Sequence, residues 1–248
     1  MKRALSLQIL NLAVASMCLA RPDSTSAEEK PPGANAWSKT ATLGLSLAKG
    51  NSDSLLFNGA FLAAKKWDQN ELRLGADANY GESSKVRNQQ SLHGFAQDNL
   101  LFSEKAYGLL RADALHDAIA DLQYRLTLSP GVGYYLIKKE ETKLSFETGP
   151  SVIIEKQGGL LQNYLGLRLG ERWDQKLSDR ATLWQSAELL PKVSDFNKYI
   201  FNFEIGVQTD ITPKLSLRTF IQDTFNSLPA AGRKKNDIRL VTGLGYKF

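Results

Sequence analysis

The sequence has few of the residues that hold small secreted proteins or metal centres together. It contains one cysteine, Cys18, and two histidines, His93 and His116, among 248 residues. A single cysteine excludes an intramolecular disulfide framework. Two separated histidines without thiolate partners do not make a typical metal-ligand cluster. The sequence therefore predicts neither a metal site nor a cofactor.

Long hydrophobic runs are also scarce. Mean hydropathy is -0.29, and the one long apolar stretch without charge, residues 5–20, follows a short basic start at the N-terminus. This scarcity excludes a multi-helix membrane protein. A basic start followed by an apolar run is typical of a secretory signal peptide. We therefore predict a signal peptide over residues 1–20, which carries Cys18, with cleavage after Ala27 as the alternative.

Neither sign of charge is in large excess. Without Lys2 and Arg3 of the signal peptide, 29 of the 31 basic residues remain against 26 acidic residues, a net charge of +3. This balance predicts no nucleic-acid partner. Residues 21–36 are rich in proline, serine, alanine, glutamate and lysine. That composition is typical of a flexible segment, so we predict a periplasmic leader there and ordered structure from Trp37.

From Trp37 to the C-terminus, apolar and polar residues alternate with a period of two, which is typical of strands with one apolar face. Twelve strands are predicted, starting near residues 40, 54, 71, 90, 106, 122, 143, 161, 180, 198, 215 and 237. The starts near 54, 90 and 106 have the weakest pattern, and His93 and Asp98 leave the phase of the fourth strand open. Short polar connections between strands indicate hairpins. The predicted fold is all-β, an antiparallel up-and-down transmembrane barrel over residues 37–248.

Alternation alone fits both a soluble barrel with an apolar interior and a membrane barrel with an apolar exterior. Full charges on the polar face favour the membrane barrel, because a soluble core would have to bury each of them at a large cost. A last strand ending in Tyr246 and Phe248 favours it too, since a terminal aromatic is the usual assembly signal of bacterial outer-membrane barrels. We therefore predict an outer-membrane location, with lipid and lipopolysaccharide around the barrel and the barrel-assembly machinery as a partner. A periplasmic all-β domain is the alternative.

The polar face also predicts a charged lumen. Twelve strands make a barrel wider than the eight-stranded kind and narrower than the large porins. The candidate lumen and selectivity residues are Arg73, Asp77, Arg111, Asp113, Arg125, Glu147, Arg168, Arg172, Glu188, Glu204, Arg218 and Arg239. These charges either line a thin water-filled path or pair across the barrel and close it. Glycines on the same face either leave local room or permit strand curvature.

A lipid-acting barrel hydrolase is the enzymatic alternative. Such an enzyme needs a nucleophile and a base within hydrogen-bond reach. His93 lies near Ser91 and His116 lies beside Asp117, but neither carries the pattern of outer-membrane phospholipases. The pair His116-Asp117 is instead predicted to order a loop, and no catalytic residue is predicted.

Seven short motifs occur in an order and spacing that resemble a bacterial outer-membrane family of unknown function, often labelled salt-induced outer membrane proteins. They are Gly50-Asn51-Ser52-Asp53, Leu115-His116-Asp117, Tyr124-Arg125, Gly131-Val132-Gly133-Tyr134, the run from Leu144 to Pro150, the run from Pro229 to Asp237, and Gly245-Tyr246-Lys247-Phe248. The resemblance covers roughly residues 40–248 and implies an outer-membrane barrel without an established activity. The loop candidates that follow from it are Gly50, Asn51, His116, Asp117, Pro229, Gly232 and Asp237.

Together these features predict a non-enzymatic barrel with short outer loops and both termini in the periplasm. The protein would be a narrow passive channel for ions or small solutes, or a structural barrel connected with envelope or salt stress. The alternative is the lipid-acting hydrolase. Arg233-Lys234-Lys235, in the last outer loop, would contact lipopolysaccharide phosphates or simply be solvated.

Overall fold

The computed structural model describes residues 36–48 and 54–248, which form twelve strands. The strands are β1 (Trp37–Ala48), β2 (Ser54–Trp67), β3 (Asn70–Ser83), β4 (Val86–Leu101), β5 (Ala106–Asp117), β6 (Leu122–Lys138), β7 (Thr142–Gln157), β8 (Leu160–Lys176), β9 (Ala181–Lys192), β10 (Asp195–Asp210), β11 (Leu215–Asn226) and β12 (Asn236–Lys247). The predicted signal peptide, nearly all of the leader, and the loop candidates Gly50 and Asn51 lie outside the described residues. Within the described ranges, no helix is long and apolar enough to cross a membrane.

Each strand pairs antiparallel with its neighbours in the chain, and β1 pairs with β12 to close the barrel. At the closure Thr40 lies opposite Lys247, and Leu43 lies opposite Leu244. Closure leaves no sheet edge, so the peptide groups of the wall are paired within the wall. The predicted closed antiparallel barrel of twelve strands is confirmed.

The predicted strand starts agree with the structure to within a few residues. The largest difference is at β4, which begins at Val86, followed by β1 and β10, which begin at Trp37 and Asp195. The added residues at the starts of β4 and β10 are mostly polar, and pairing continues there beyond the apolar alternation. The register also settles the phase of β4, because His93 lies opposite Asp77 and Asp98 lies opposite Leu72.

The structure corrects the position of three predicted loop residues. His116 and Asp117 belong to β5, and Asp237 belongs to β12. Cross-strand pairing extends to these positions, opposite β4 and β11, although the apolar alternation has already ended. Pro229 and Gly232 do lie in a connection, between β11 and β12. Gly232 has φ +77°, a left-handed conformation that glycine adopts readily.

The burial of polar side chains and the exposure of apolar ones are the reverse of what a soluble protein shows. Ser129, Ser151 and Ser216 are completely buried, whereas Leu43 and Leu45 are 64% and 66% exposed. A large apolar surface is unfavourable in water in proportion to its area. The wall therefore suits a lipid exterior and a polar interior.

Candidate functional site: the barrel interior

The barrel encloses an interior cavity of about 440 Å³. All twelve candidate lumen residues line it: Arg73, Asp77, Arg111, Asp113, Arg125, Glu147, Arg168, Arg172, Glu188, Glu204, Arg218 and Arg239. They come from nine of the twelve strands, and alternation places them on the inner face because side chains two residues apart point the same way. We call the end of the barrel where β1 begins the proximal end, and the opposite end the distal end.

One group of contacts in the interior is centred on Glu147. Its carboxylate accepts hydrogen bonds from Gln97 at 2.8 Å, Tyr107 at 3.0 Å and Arg168 at 2.8 Å. Arg168 also donates to Glu188 at 2.6 Å. Gln97 lies on β4 and Glu147 on β7, so this contact passes over the inner face of the two strands between them, β5 and β6. We call these five residues the central network.

A second group surrounds His93. Its Nδ1 lies 3.0 Å from Asp77 Oδ1, and its Nε2 lies 3.5 Å from Asp113 Oδ1. Arg111 pairs with the same Asp113 at 2.6 Å. Sequence reasoning placed the carboxylates and the arginine in the lumen but gave His93 no role there, since the partner opposite His93 follows only from the register.

A third group lies at the distal end, where Arg239 connects β12 to strands on another part of the wall. Its guanidinium donates to Asp117 at 3.1 Å and to Ser91 at 3.2 Å. The carboxylate of Asp117 also accepts hydrogen bonds from the backbone N–H groups of Ile119 and Ala120, at 3.0 and 2.9 Å. Asp117 therefore orders the turn after β5 and also holds an ion pair across the mouth.

The connection between β11 and β12, residues 227–235, folds over the distal end, and we call it the strap. Its Pro229 lines the interior cavity together with Arg233, Lys234 and Lys235. Ala230 is 9% exposed and lies beside Gly158 of the β7–β8 turn. Because β7 and β8 do not adjoin β11 or β12, this contact shows that the strap reaches over part of the mouth and narrows it.

The proximal half of the interior holds side chains whose pairing differs from residue to residue. Arg172 pairs with Asp174 at 2.6 Å. Glu204 accepts a hydrogen bond from Trp184 at 2.6 Å, whereas the guanidinium of Arg218 lies 4.7 Å from the centre of the same indole ring. Trp184, the last of the four tryptophans in the sequence, thus lies inside the barrel, a position that sequence reasoning did not assign.

Arg125 is the candidate with the least freedom to act on a solute. It pairs with Glu155 at 2.6 Å, and the two side chains are 9% and 7% exposed. A buried, hydrogen-bonded ion pair of this kind holds β6 to β7, and losing one partner is costly because the other charge stays buried.

Interior glycines make room for aromatic side chains that lie along the wall. A methyl group at Gly133 would overlap the ring of Tyr107, and one at Gly206 would overlap Trp184 and Phe220. At Gly149 the added carbon would instead meet the backbone of the neighbouring strand. Close approach, by a ring or by backbone, therefore accounts for these glycines.

Gly133→Ala is expected to displace Tyr107 and break its hydrogen bond to Glu147. Overpacking of this kind destabilises a protein by about 1–3 kcal/mol, measurable as a lower midpoint of urea unfolding of the refolded barrel. Gly94→Ala is the control, because its added carbon meets only the Gly75 carbonyl oxygen at 3.7 Å. Equal midpoints for the two variants would contradict the steric argument.

A closed wall that is apolar outside and lined by charges inside defines the fold as that of the outer-membrane β-barrels. The structure is similar to a NanC porin, with a TM-score of 0.53 and 8% identity over 85% of this chain and 100% of that chain. It is also similar to an outer membrane channel from Pseudomonas putida F1, with a TM-score of 0.50 and 11% identity over 91% of this chain and 100% of that chain. At these identities the likeness concerns the fold.

The chain belongs to the family described as "Protein of unknown function, DUF481", whose model matches residues 41–248. The resemblance to a family of unknown function, expected over roughly residues 40–248, is confirmed to that extent. A comparison with curated proteins found no match.

Proposed function

We propose that the protein is a narrow passive channel of a bacterial outer membrane, which conducts ions or small solutes and performs no chemistry. The observation that carries this proposal is the charged cavity of about 440 Å³ inside a closed barrel with an apolar exterior. The central network and the strap narrow this cavity. The porin and the channel that share the fold support the same conclusion.

A structural barrel closed by paired charges is the competing proposal, and it draws support from the cross-barrel pairs. Gln97 of β4 donates to Glu147 of β7, and Arg239 of β12 pairs with Asp117 of β5, so both contacts join strands that are not neighbours. The cavity favours the channel. If the paired charges served stability alone, we would expect side chains to fill the interior to the usual packing density of a protein core.

The positions of the histidines favour a non-enzymatic function over a lipid-acting hydrolase. Both ring nitrogens of His93 face carboxylates, Asp77 and Asp113, so neither is free to take a proton from a nucleophile. The Nδ1 atom of His116 lies 2.9 Å from the backbone oxygen of Gln123, and among the described residues the His116 ring makes no hydrogen bond to a serine or threonine hydroxyl.

We also propose how the chain reaches the membrane and what surrounds it there. Residues 1–20 would direct export, residues 21–36 would form a periplasmic leader, and residues 37–248 would form the barrel. Tyr246 and Phe248, 45% and 69% exposed with ring centroids 5.2 Å apart, would present the assembly signal to the barrel-assembly machinery. Lipid and lipopolysaccharide would cover the apolar exterior. We also propose a role for the barrel in salt stress.

Single-channel recording tests the channel directly. The refolded mature chain, added to a planar bilayer at two salt concentrations, is expected to give discrete current steps that grow with salt. Heat-shifted gel mobility shows independently that the barrel is folded. A folded barrel that leaves the bilayer silent would overturn the channel and favour the structural barrel.

A further inference from the structure

Three arginines meet at the proximal end of the cavity, and we call them the arginine triad. Arg73 is the fourth residue of β3, Arg218 is the fourth residue of β11, and Arg172 is the fifth from the end of β8. Each position is therefore near the strand end on the side of the chain termini. All three side chains line the cavity, so three distant strands bring positive charge to one level of the interior.

The arginine triad has too few counter-charges of its own. Arg172 pairs with Asp174 at 2.6 Å, but Arg73 and Arg218 make no ion pair within 4.0 Å among the described residues. Arg172 is close enough to Arg73 and Arg218 to repel both. The carboxylates that attract them lie beyond ion-pair range: Asp174 and Glu147 for Arg73, and Glu204 for Arg218. A charge that is held away from water without a partner is costly.

Arg218 is held in this position by aromatic rings. Its guanidinium carbon lies 4.7 Å from the Trp184 ring centre and 5.9 Å from that of Phe220. Stacking of this kind stabilises the cation but neutralises none of its charge. Its Nε is buried and has no hydrogen-bond partner. The carboxylate of Glu204, which attracts Arg218, already accepts hydrogen bonds from Trp184 and Gln222, at 2.6 and 2.9 Å.

We propose that the arginine triad binds a small soluble anion bearing carboxylate or phosphate groups, and that it makes the channel prefer anionic solutes. The planar guanidinium fork matches the oxygen geometry of both groups. The strap adds Arg233, Lys234 and Lys235 at the opposite end of the cavity, where positive charge raises the local concentration of anions. The selectivity rests on the proposed channel function, whereas the binding site does not.

Anion binding can be measured without any conduction, using Trp184 as the reporter. A variant with Trp37, Trp67 and Trp173 replaced by phenylalanine keeps only the interior indole, which adjoins Arg218. Titration of this folded barrel with pyrophosphate is expected to give a saturable change in emission. Adding Arg73→Gln, which leaves the stacked pair intact, should weaken binding about fivefold, the effect of one charge at close range.

Arg180→Gln is the matched control, because it removes one positive charge from an exposed turn at the same end of the barrel. It should leave the titration unchanged. Pyrophosphate that produces no saturable change in the folded reporter barrel, or equal weakening by Arg73→Gln and Arg180→Gln, would overturn the anion site.

Reversal potentials under a potassium chloride gradient test the selectivity. The wild-type channel is expected to prefer chloride, and Arg73→Gln with Arg218→Gln should reduce that preference by about fivefold or more. Arg180→Gln should keep it. A conducting channel that prefers potassium, or whose preference for chloride is unchanged by the double substitution, would overturn the inferred selectivity while the channel stands. A silent bilayer combined with saturable pyrophosphate binding would instead overturn the channel and keep the anion site.

Discussion

Replacing residues 227–234 of the strap with Asn-Gly is expected to raise single-channel conductance severalfold. The strap reaches from β11 to the β7–β8 turn and lines the distal end of the cavity. Asn-Gly forms the two-residue turn that best joins antiparallel strands, so β11 and β12 should stay paired while the mouth opens. Recording from the folded variant in a planar bilayer measures the effect.

A charge-only variant separates obstruction from electrostatics. Arg233→Gln, Lys234→Gln and Lys235→Gln together keep the length of the strap but remove the charge that it presents to the cavity. This variant should change ion preference far more than maximal conductance. If the shortened barrel conducts no better than the wild type, the strap does not limit flow.

Glu147→Ala is expected to give the largest loss of stability, about 3 kcal/mol, as for other buried ion pairs deprived of one partner. Three donors would lose their shared acceptor: Gln97, Tyr107 and Arg168. The Arg168 side chain is only 8% exposed, so water replaces the lost carboxylate poorly. The free energy of unfolding in urea, measured on the refolded barrel, gives the loss.

The matched controls are isosteric substitutions at the two carboxylates that bind Arg168. Glu147→Gln keeps an acceptor for Tyr107 and should cost less than Glu147→Ala. Glu188→Gln should cost least, because Arg168 keeps Glu147 at 2.8 Å. A larger loss from Glu188→Gln than from Glu147→Ala would show that Glu147 is not the centre of the network.

Alternation allowed all twelve lumen candidates to be named, yet it could not rank them. Arg73 and Arg168 occupy equivalent positions in the pattern of polar and apolar residues. In the structure, Arg168 pairs with both Glu147 and Glu188, whereas Arg73 makes no ion pair within 4.0 Å among the described residues. The difference arises from the neighbouring strands and their stagger, which the local pattern does not contain.

Aromatic residues and histidine in the lumen escaped prediction for a related reason. Trp184 and Tyr107 resemble the aromatic residues that face lipid. Each lies an even number of residues from a lumen candidate of its own strand, Glu188 and Arg111, so alternation also allows an inward position. The register places them beside Gly206 and Gly133. His93 lies in the strand with the least regular pattern. The strap composition, rich in lysine and arginine, suits a solvated loop equally well, so its path over the mouth could not be foreseen.

The sequence alone determined the wall of this protein: twelve strands, their order, and a charged face opposite an apolar one. These properties follow from the alternation of polar and apolar residues and from the short connections between strands. Both depend only on residues that are close to one another in the sequence. Only the tertiary structure decided which charges meet, that Gln97 of β4 reaches Glu147 of β7, and that residues 227–235 narrow the mouth. Such contacts depend on closure and on the stagger of distant strands, which bring together residues that no local pattern connects.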